Sequence, residues 1–118
     1  MSQGTHPKNE RRKHTRAKFQ DSVVVHKVIE SKSGNVYEVQ GNPLVVKALD
    51  VSEGGIRLEI GSDPSSKILK LNFQVQKNKP MDIYSKLAWT EKGTCGLEFI
   101  VADEQIRLLI RNYVERSK

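Results

Sequence analysis

The sequence predicts one mostly-β domain: an antiparallel β-barrel of six to seven short strands, with a C-terminal α-helix closing one end and a flexible N-terminal arm. Three observations predict it. Between Phe19 and Val101 the chain is a succession of short β-type runs separated by Gly, Asn, Pro and Ser clusters. From Ile106 onward the apolar period changes from that of a strand to that of a helix. Ahead of Phe19 the chain is polar and basic and has no apolar anchor.

The valine-rich run Ser22–Ile29 is the first expected strand, and Ser33-Gly34-Asn35 the turn after it. Val36–Gln40 follows as a short strand. Gly41-Asn42-Pro43 reads as the next turn, ahead of a strand over Leu44–Leu49. Ile56, Leu58 and Ile60 alternate with Arg57 and Glu59, which is the period of a strand with one wet face. Gly61-Ser62-Asp63-Pro64 ends that strand. Leu69, Leu71, Phe73 and Val75 then form one side of a hairpin that turns at Lys77-Asn78-Lys79-Pro80. Met81, Ile83, Leu87 and Trp89 share a face on its return. On this alternation Trp89 is a core residue. After Glu91-Lys92-Gly93-Thr94 the last strand runs over Cys95–Val101, with Cys95 as a small buried hydrophobe beside Leu97 and Phe99. Ile106, Leu109, Ile110, Tyr113 and Val114 make the apolar stripe of a helix over about 103–116, with Asp103 as its N-cap. Arg107, Arg111 and Arg116 lie on its other face or in its last turn. Residues 1–10 are expected to be a disordered tail and 11–116 a single domain.

Composition excludes several classes. The longest apolar run, Pro43–Val46, is far too short to span a membrane, and the basic N-terminus has no apolar core of a secretory signal. A single cysteine cannot form an internal disulfide, and the three histidines (His6, His14, His26) are too scattered for a zinc cluster or a Ser–His–Asp triad. A non-catalytic cytoplasmic protein without metal or cofactor is the expectation. The net charge of +6 is concentrated: residues 1–20 carry six basic side chains and one acidic one, and the remainder is close to neutral. Such an arm suits an anionic partner, and it is equally the composition of a solvated basic tail.

Two short constellations carry candidate chemistry. Arg11-Arg12-Lys13-His14-Thr15-Arg16 contains an Arg-x-x-x-Arg pair, Arg12 and Arg16. Each guanidinium is a planar fork that bonds phosphate oxygens, or the O6/N7 edge of guanine, two at a time. Asp50-Val51-Ser52-Glu53-Gly54-Gly55 has the form Asp-x-Ser-x-x-Gly at the entry to a strand. Asp50 and Ser52 supply short polar groups, while Gly54 and Gly55 allow a sharp turn and close backbone approach. Alone, the first is a common pattern in basic tails and the second an Asx- or Ser-type turn. The two in this order on a small all-β chain are far more specific.

Glu10-Arg11-Arg12-x-x-x-Arg16-x-x-Phe19, followed by Asp50-x-Ser52-x-x-Gly55-Ile56-x-Leu58, resembles the PilZ domain family. The likeness runs through Leu87-Ala88-Trp89 and Gly96-Leu97-Glu98-Phe99 into the terminal helix, over roughly residues 10 to 115. Val51 stands where many members have alanine, and the Ser31–Asn42 segment absorbs a long interval between the motifs. The resemblance implies a split-barrel receptor for the second messenger cyclic di-GMP; many such domains are modules of larger proteins, whereas this one is expected to stand alone. It implies that Arg12 and Arg16 contact phosphate and guanine, and that Asp50, Ser52 and Gly55 line the base pocket, with Gly54 in the same turn. A basic residue at the position of Arg11 accompanies a stacked ligand dimer in similar proteins, so two ligand molecules per chain are expected. The arm would order on binding and pass the change to a protein partner that the sequence does not name. The alternatives are an RNA- or single-stranded-DNA-binding barrel, disfavoured because no strand interleaves aromatic and basic residues, and a PilZ-like interaction module without ligand.

Overall fold

The computed structural model describes residues 15–30, 37–61, 67–101 and 103–117. These hold seven strands, β1 (Ala17–Lys18), β2 (Ser22–Glu30), β3 (Tyr37–Val51), β4 (Gly55–Glu59), β5 (Ile68–Phe73), β6 (Met81–Glu91) and β7 (Thr94–Val101), and one helix, α1 (Glu104–Arg116). All pairings are antiparallel. The spatial order is β1-β3-β2-β5-β6-β7-β4, and β4 also pairs with β3. Six strands therefore close into a barrel, with β1 added at the edge of β3. Closure removes the exposed edges that an open sheet of this size would present.

The period-2 reading of β4 and β5 holds. Ile56, Leu58, Leu69, Leu71 and Phe73 are buried and Arg57 and Glu59 are exposed. The β5–β6 hairpin pairs Leu71 with Ile83 and Phe73 with Met81, which puts both apolar sets on the inner face. One polar side chain on that face, Ser85, is fully buried and donates its hydroxyl to the Leu69 carbonyl at 3.0 Å. The β6–β7 connection is a two-residue turn in which Lys92 and Gly93 both take positive φ, 47° and 84°. That handedness matches the twist of the strands it joins. Cys95 lies in the core as expected.

Two expectations are corrected. Gly41-Asn42-Pro43 does not end a strand: β3 continues through it as a single strand of fifteen residues. Opposite these three residues, β2 offers only His26, since Val25 pairs with Leu44 and Lys27 with Gln40. Gly41 at φ 74° and a proline without an N–H make a bulge there, because β2 already supplies a straight partner on both sides of the irregularity. The second correction is Trp89, which is 41% exposed rather than part of the core. Leu87 pairs with Leu97 while Trp89 pairs with Gly96, so β6 spends two residues where β7 spends one. That bulge reverses the face, so Trp89, which unbroken alternation from Ile83 would place inside, stands outside. The two-residue strand β1 was also not anticipated. The turn at Ser33–Asn35, most of the turn at Gly61–Pro64 and the tail at 1–10 lie outside the described residues.

Helix α1 is capped by Asp103, whose carboxylate accepts from the Ile106 N–H at 2.9 Å. Ile110 and Val114 are buried in the same cluster as Phe19, Phe73 and Ile56, with Ile106, Leu109 and Tyr113 packed at its margin. Tyr113 meets Phe19 edge to face at 5.6 Å, and Phe19 meets Phe73 at 5.7 Å. The helix is thus fastened to the barrel by an aromatic chain that begins just after β1. Ile110→Ala should lower stability by about 2–5 kcal/mol, whereas Leu108→Ala, on the exposed side, should change it by less than about 0.5 kcal/mol. Urea unfolding of the two variants checks the helix orientation.

Candidate ligand-binding face

Arg16, the last residue of the first constellation, meets the second on the outside of the barrel. β1 pairs with the end of β3, Lys18 opposite Asp50 and Ala17 opposite Val51. Ala17 and Phe19 are buried, so the arm is anchored from Ala17 rather than only from Phe19. Arg16, one residue before that anchor, is carried to Asp50. Its Nη1 donates to Asp50 Oδ1 at 2.7 Å across a separation of 34 residues.

Asp50 has a second cationic partner that the sequence reading passed over. Arg57 Nη2 lies 2.8 Å from Asp50 Oδ2. One carboxylate therefore holds a guanidinium on each oxygen. Their side chains are 15% (Asp50), 28% (Arg16) and 44% (Arg57) exposed, so the aspartate is the sheltered centre and both arginines reach water. A bulge aims Asp50 at this face: Ala48 pairs with Leu58 and Asp50 with Arg57, two residues of β3 against one of β4. Ala48 points into the core and Asp50 out of it. The signal for Arg57 was present in the sequence, since the alternation of β4 turns it outward two residues after Gly55. Lys18 is the cross-strand neighbour of Asp50, so cationic residues outnumber the aspartate along this row.

Ser52, Gly54 and Gly55 form the turn into β4. Ser52 is buried; its N–H donates to the Gly55 carbonyl at 2.8 Å, and its hydroxyl oxygen accepts from the Gly54 N–H at 3.2 Å. The Gly54 carbonyl accepts from the Phe99 N–H at 2.9 Å, which ties the turn to β7. Gly55 pairs with Glu98, and a Cβ on it would fall on the Leu97 carbonyl oxygen. Glu53, between them, takes a two-pronged contact from Arg111 of α1 at 2.9 and 3.2 Å, which raises the Arg111 pKa through the hydrogen bond and the charge of Glu53. The arm is tied to the same helix, since the Tyr113 hydroxyl donates to the Lys18 carbonyl at 2.7 Å.

Of the expected site residues, the structure brings Arg16, Asp50, Ser52, Gly54 and Gly55 together; Arg11 and Arg12 lie outside the described residues. A separate open depression of about 400 Å³, lined by Phe19, Asp21, Gln74, Lys77 and Tyr113 among others, contains none of them. Among the described residues no helix is long and apolar enough to cross a membrane. The turn geometry gives two expected outcomes in thermal or urea melts. Gly55→Ala should cost about 1–3 kcal/mol, because strand and carbonyl must separate to admit a methyl group. Ser52→Ala should cost about 1 kcal/mol through the lost acceptor of the Gly54 N–H.

Comparison with known proteins follows the same lines. The model of the PilZ domain family matches residues 10–116. No curated protein matches the chain. Several solved structures share the fold. The PilZ domain of CeSA from a cellulose-synthesizing bacterium superposes with a TM-score of 0.59 at 11% identity, over 86% of this chain and 96% of that one. The PilZ domain of YcgR from Escherichia coli, solved with c-di-GMP, gives 0.60 at 9% identity over 91% of each chain. MotI (DgrA), the inhibitor of motility of Bacillus subtilis, gives 0.63 at 16% identity over 90% of this chain, which spans 51% of that protein. The family model covers nearly the whole sequence, Arg16 and the Asp50–Gly55 turn share one face of a closed six-stranded barrel, and the chain belongs to the PilZ domain family.

Proposed function

We propose that the chain is a non-catalytic, cytoplasmic receptor for cyclic di-GMP, which it binds on the face between the N-terminal arm and the Asp50–Gly55 turn. The observation that supports this reading is the contact between Arg16, of the Arg-x-x-x-Arg motif, and Asp50, of the Asp-x-Ser-x-x-Gly motif. It is supported by membership of the PilZ family and by the YcgR domain of the same fold having been solved with c-di-GMP.

Each residue has a chemical part in this reading. Arg12 and Arg16 present forks to the phosphates and to the guanine O6/N7 edge. Asp50 accepts from guanine N–H donors and keeps Arg16 on the face. Ser52, Gly54 and Gly55 shape the pocket floor through backbone groups. Arg11 adds a third guanidinium, which suits a stacked ligand dimer with four phosphates, hence two ligand molecules per chain. Ordering the arm costs conformational entropy, so residues from about Arg11 dock when ligand bonds repay it. The docked arm alters the surface presented to a protein partner acting in motility, biofilm or exopolysaccharide control.

Calorimetry with cyclic di-GMP, with GTP and a short RNA as controls, tests the assignment. Arg12→Ala and Arg16→Ala should each weaken binding by about 1.5–3 kcal/mol, or one to two decades in Kd. Undiminished binding in the double variant would remove the arm from the site. Tighter binding of the RNA would instead favour a nucleic-acid-binding barrel. The stoichiometry should be two for the natural sequence and one for Arg11→Leu; a value of one for both would end the stacked-dimer reading alone. Backbone amide relaxation should show residues from about Arg11 gaining order with ligand.

A further inference from the structure

Strand β1 places a further cation on the face described above. Lys18 lies directly opposite Asp50 in the β1–β3 ladder, and residues so paired share a face, with Cβ atoms roughly 5 Å apart. Ala17 and Phe19 on either side are buried, so alternation turns Lys18 outward, and it is exposed. Its main chain is fixed from several directions. The Lys18 carbonyl accepts from the Tyr113 hydroxyl at 2.7 Å, and the N–H of Phe19 donates to the Leu49 carbonyl at 3.2 Å. Phe19 itself packs against the rings of Phe73 and Tyr113. The base of the lysine is therefore anchored, and only its flexible stem moves the ammonium.

Charge matching sets Lys18 apart from the arginines beside it. Both oxygens of Asp50 are taken, Oδ1 by Arg16 at 2.7 Å and Oδ2 by Arg57 at 2.8 Å. Glu53, the other carboxylate of the Asp50–Gly55 turn, is clasped by Arg111. Among the described residues no carboxylate stands within ion-pair distance of Lys18. A lysine opposite an aspartate is ordinarily its counter-ion, but here two guanidiniums already fill that part. Packing does not call for a lysine either, since the position faces water. The result is a positive charge on an ordered strand, next to the site and unmatched by any described acid.

We infer that Lys18 is an anion-capturing residue of the ligand face, whose ammonium pairs with a phosphate of the incoming ligand. The inference deepens the cyclic di-GMP reading and rests on it. An ammonium is a compact point charge that needs no planar, two-pronged geometry, so it meets a phosphate in many orientations. A charge held in advance attracts the anion before shorter-range contacts form, and it acts on the association rate as well as on affinity. Because the Lys18 backbone already belongs to the sheet, this contact carries no cost of ordering main chain.

Calorimetry with cyclic di-GMP, and association rates from surface plasmon resonance, test this at low salt and at about 1 M salt, where the Debye length is about 3 Å. Lys18→Gln should weaken binding about fivefold at low salt, the upper range for an exposed ion pair, mainly through slower association. The gap should close at about 1 M salt. Lys18→Arg should keep most of the affinity, and Lys18→Glu should lose more than Lys18→Gln. Lys70→Gln removes the same charge from β5, which pairs with β2 and β6 rather than with β1, β3 or β4, and should bind like the natural sequence. All four variants should melt with the natural protein, since Tyr113 bonds the Lys18 backbone and not its side chain. If Lys18→Gln binds as tightly as the natural protein at low salt, or loses equally at both salt concentrations, or loses no more than Lys70→Gln, the role of Lys18 is overturned and the receptor assignment stands. If the natural protein gives no calorimetric signal with cyclic di-GMP, the receptor assignment falls and the role of Lys18 with it.

Discussion

Strand β4 is the constraint on which this domain depends. It has only five residues, yet it pairs on one edge with β3 and on the other with β7. Without it the sheet would remain open between its first and last strands. The double pairing is possible because Gly55 has no side chain to strike the Leu97 carbonyl. The turn that delivers the chain to Gly55 is held by Ser52, and the turn beyond its far end is tied through the Ile60 N–H to the Gly93 carbonyl at 2.7 Å. The residues that read as a ligand motif in the sequence are therefore also those that close the barrel. On the proposed reading one short segment serves both ends, because a site built where two edges join inherits the rigidity of the closure.

The electrostatics of the face follow from placing one carboxylate between two guanidiniums. Ion pairs with this much solvent access contribute about 0–1 kcal/mol, and hydrogen bonds to charged groups on an ordered ligand about 1.5–3 kcal/mol. Asp50 thus keeps Arg16 in place without holding it firmly, which suits the proposed engagement of Arg16 by a phosphate or a guanine. Asp50 is the most sheltered of the three, and the arginines are the groups left reaching outward. An aspartate exposed as freely as they are would only have reduced the charge of the face.

Helix α1 touches both β1 and the turn into β4. Tyr113 bonds the backbone of Lys18 in β1, and Arg111 clasps Glu53 in the turn. The same helix is seated in the core through Ile110 and Val114. Movement of the arm or the turn therefore bears on a rigid element whose far side, including Leu108, is exposed.

Much of this was legible in the sequence because it depends on local pattern. Alternation in β4 and β5, the Lys92-Gly93 turn, the Asp103 cap and the stripe through Ile110 and Val114 are properties of neighbouring residues, and the structure repeats them. The paired motifs were legible too, as residue types of fixed spacing at the head of a strand. What the sequence by itself could not determine was register. Gly41-Asn42-Pro43 reads as a turn until β2 is present on both sides of it, and then it is a bulge. Trp89 reads as core until β7 is found to pair Leu97 with Leu87 and Gly96 with Trp89, a one-residue slip that reverses its face. Arg57 reads as a solvated charge until Asp50 is brought beside it by the slip in β3. Bulges are set by the partner strand rather than by the bulged one, so only the closed barrel decided which side chains share the outer row.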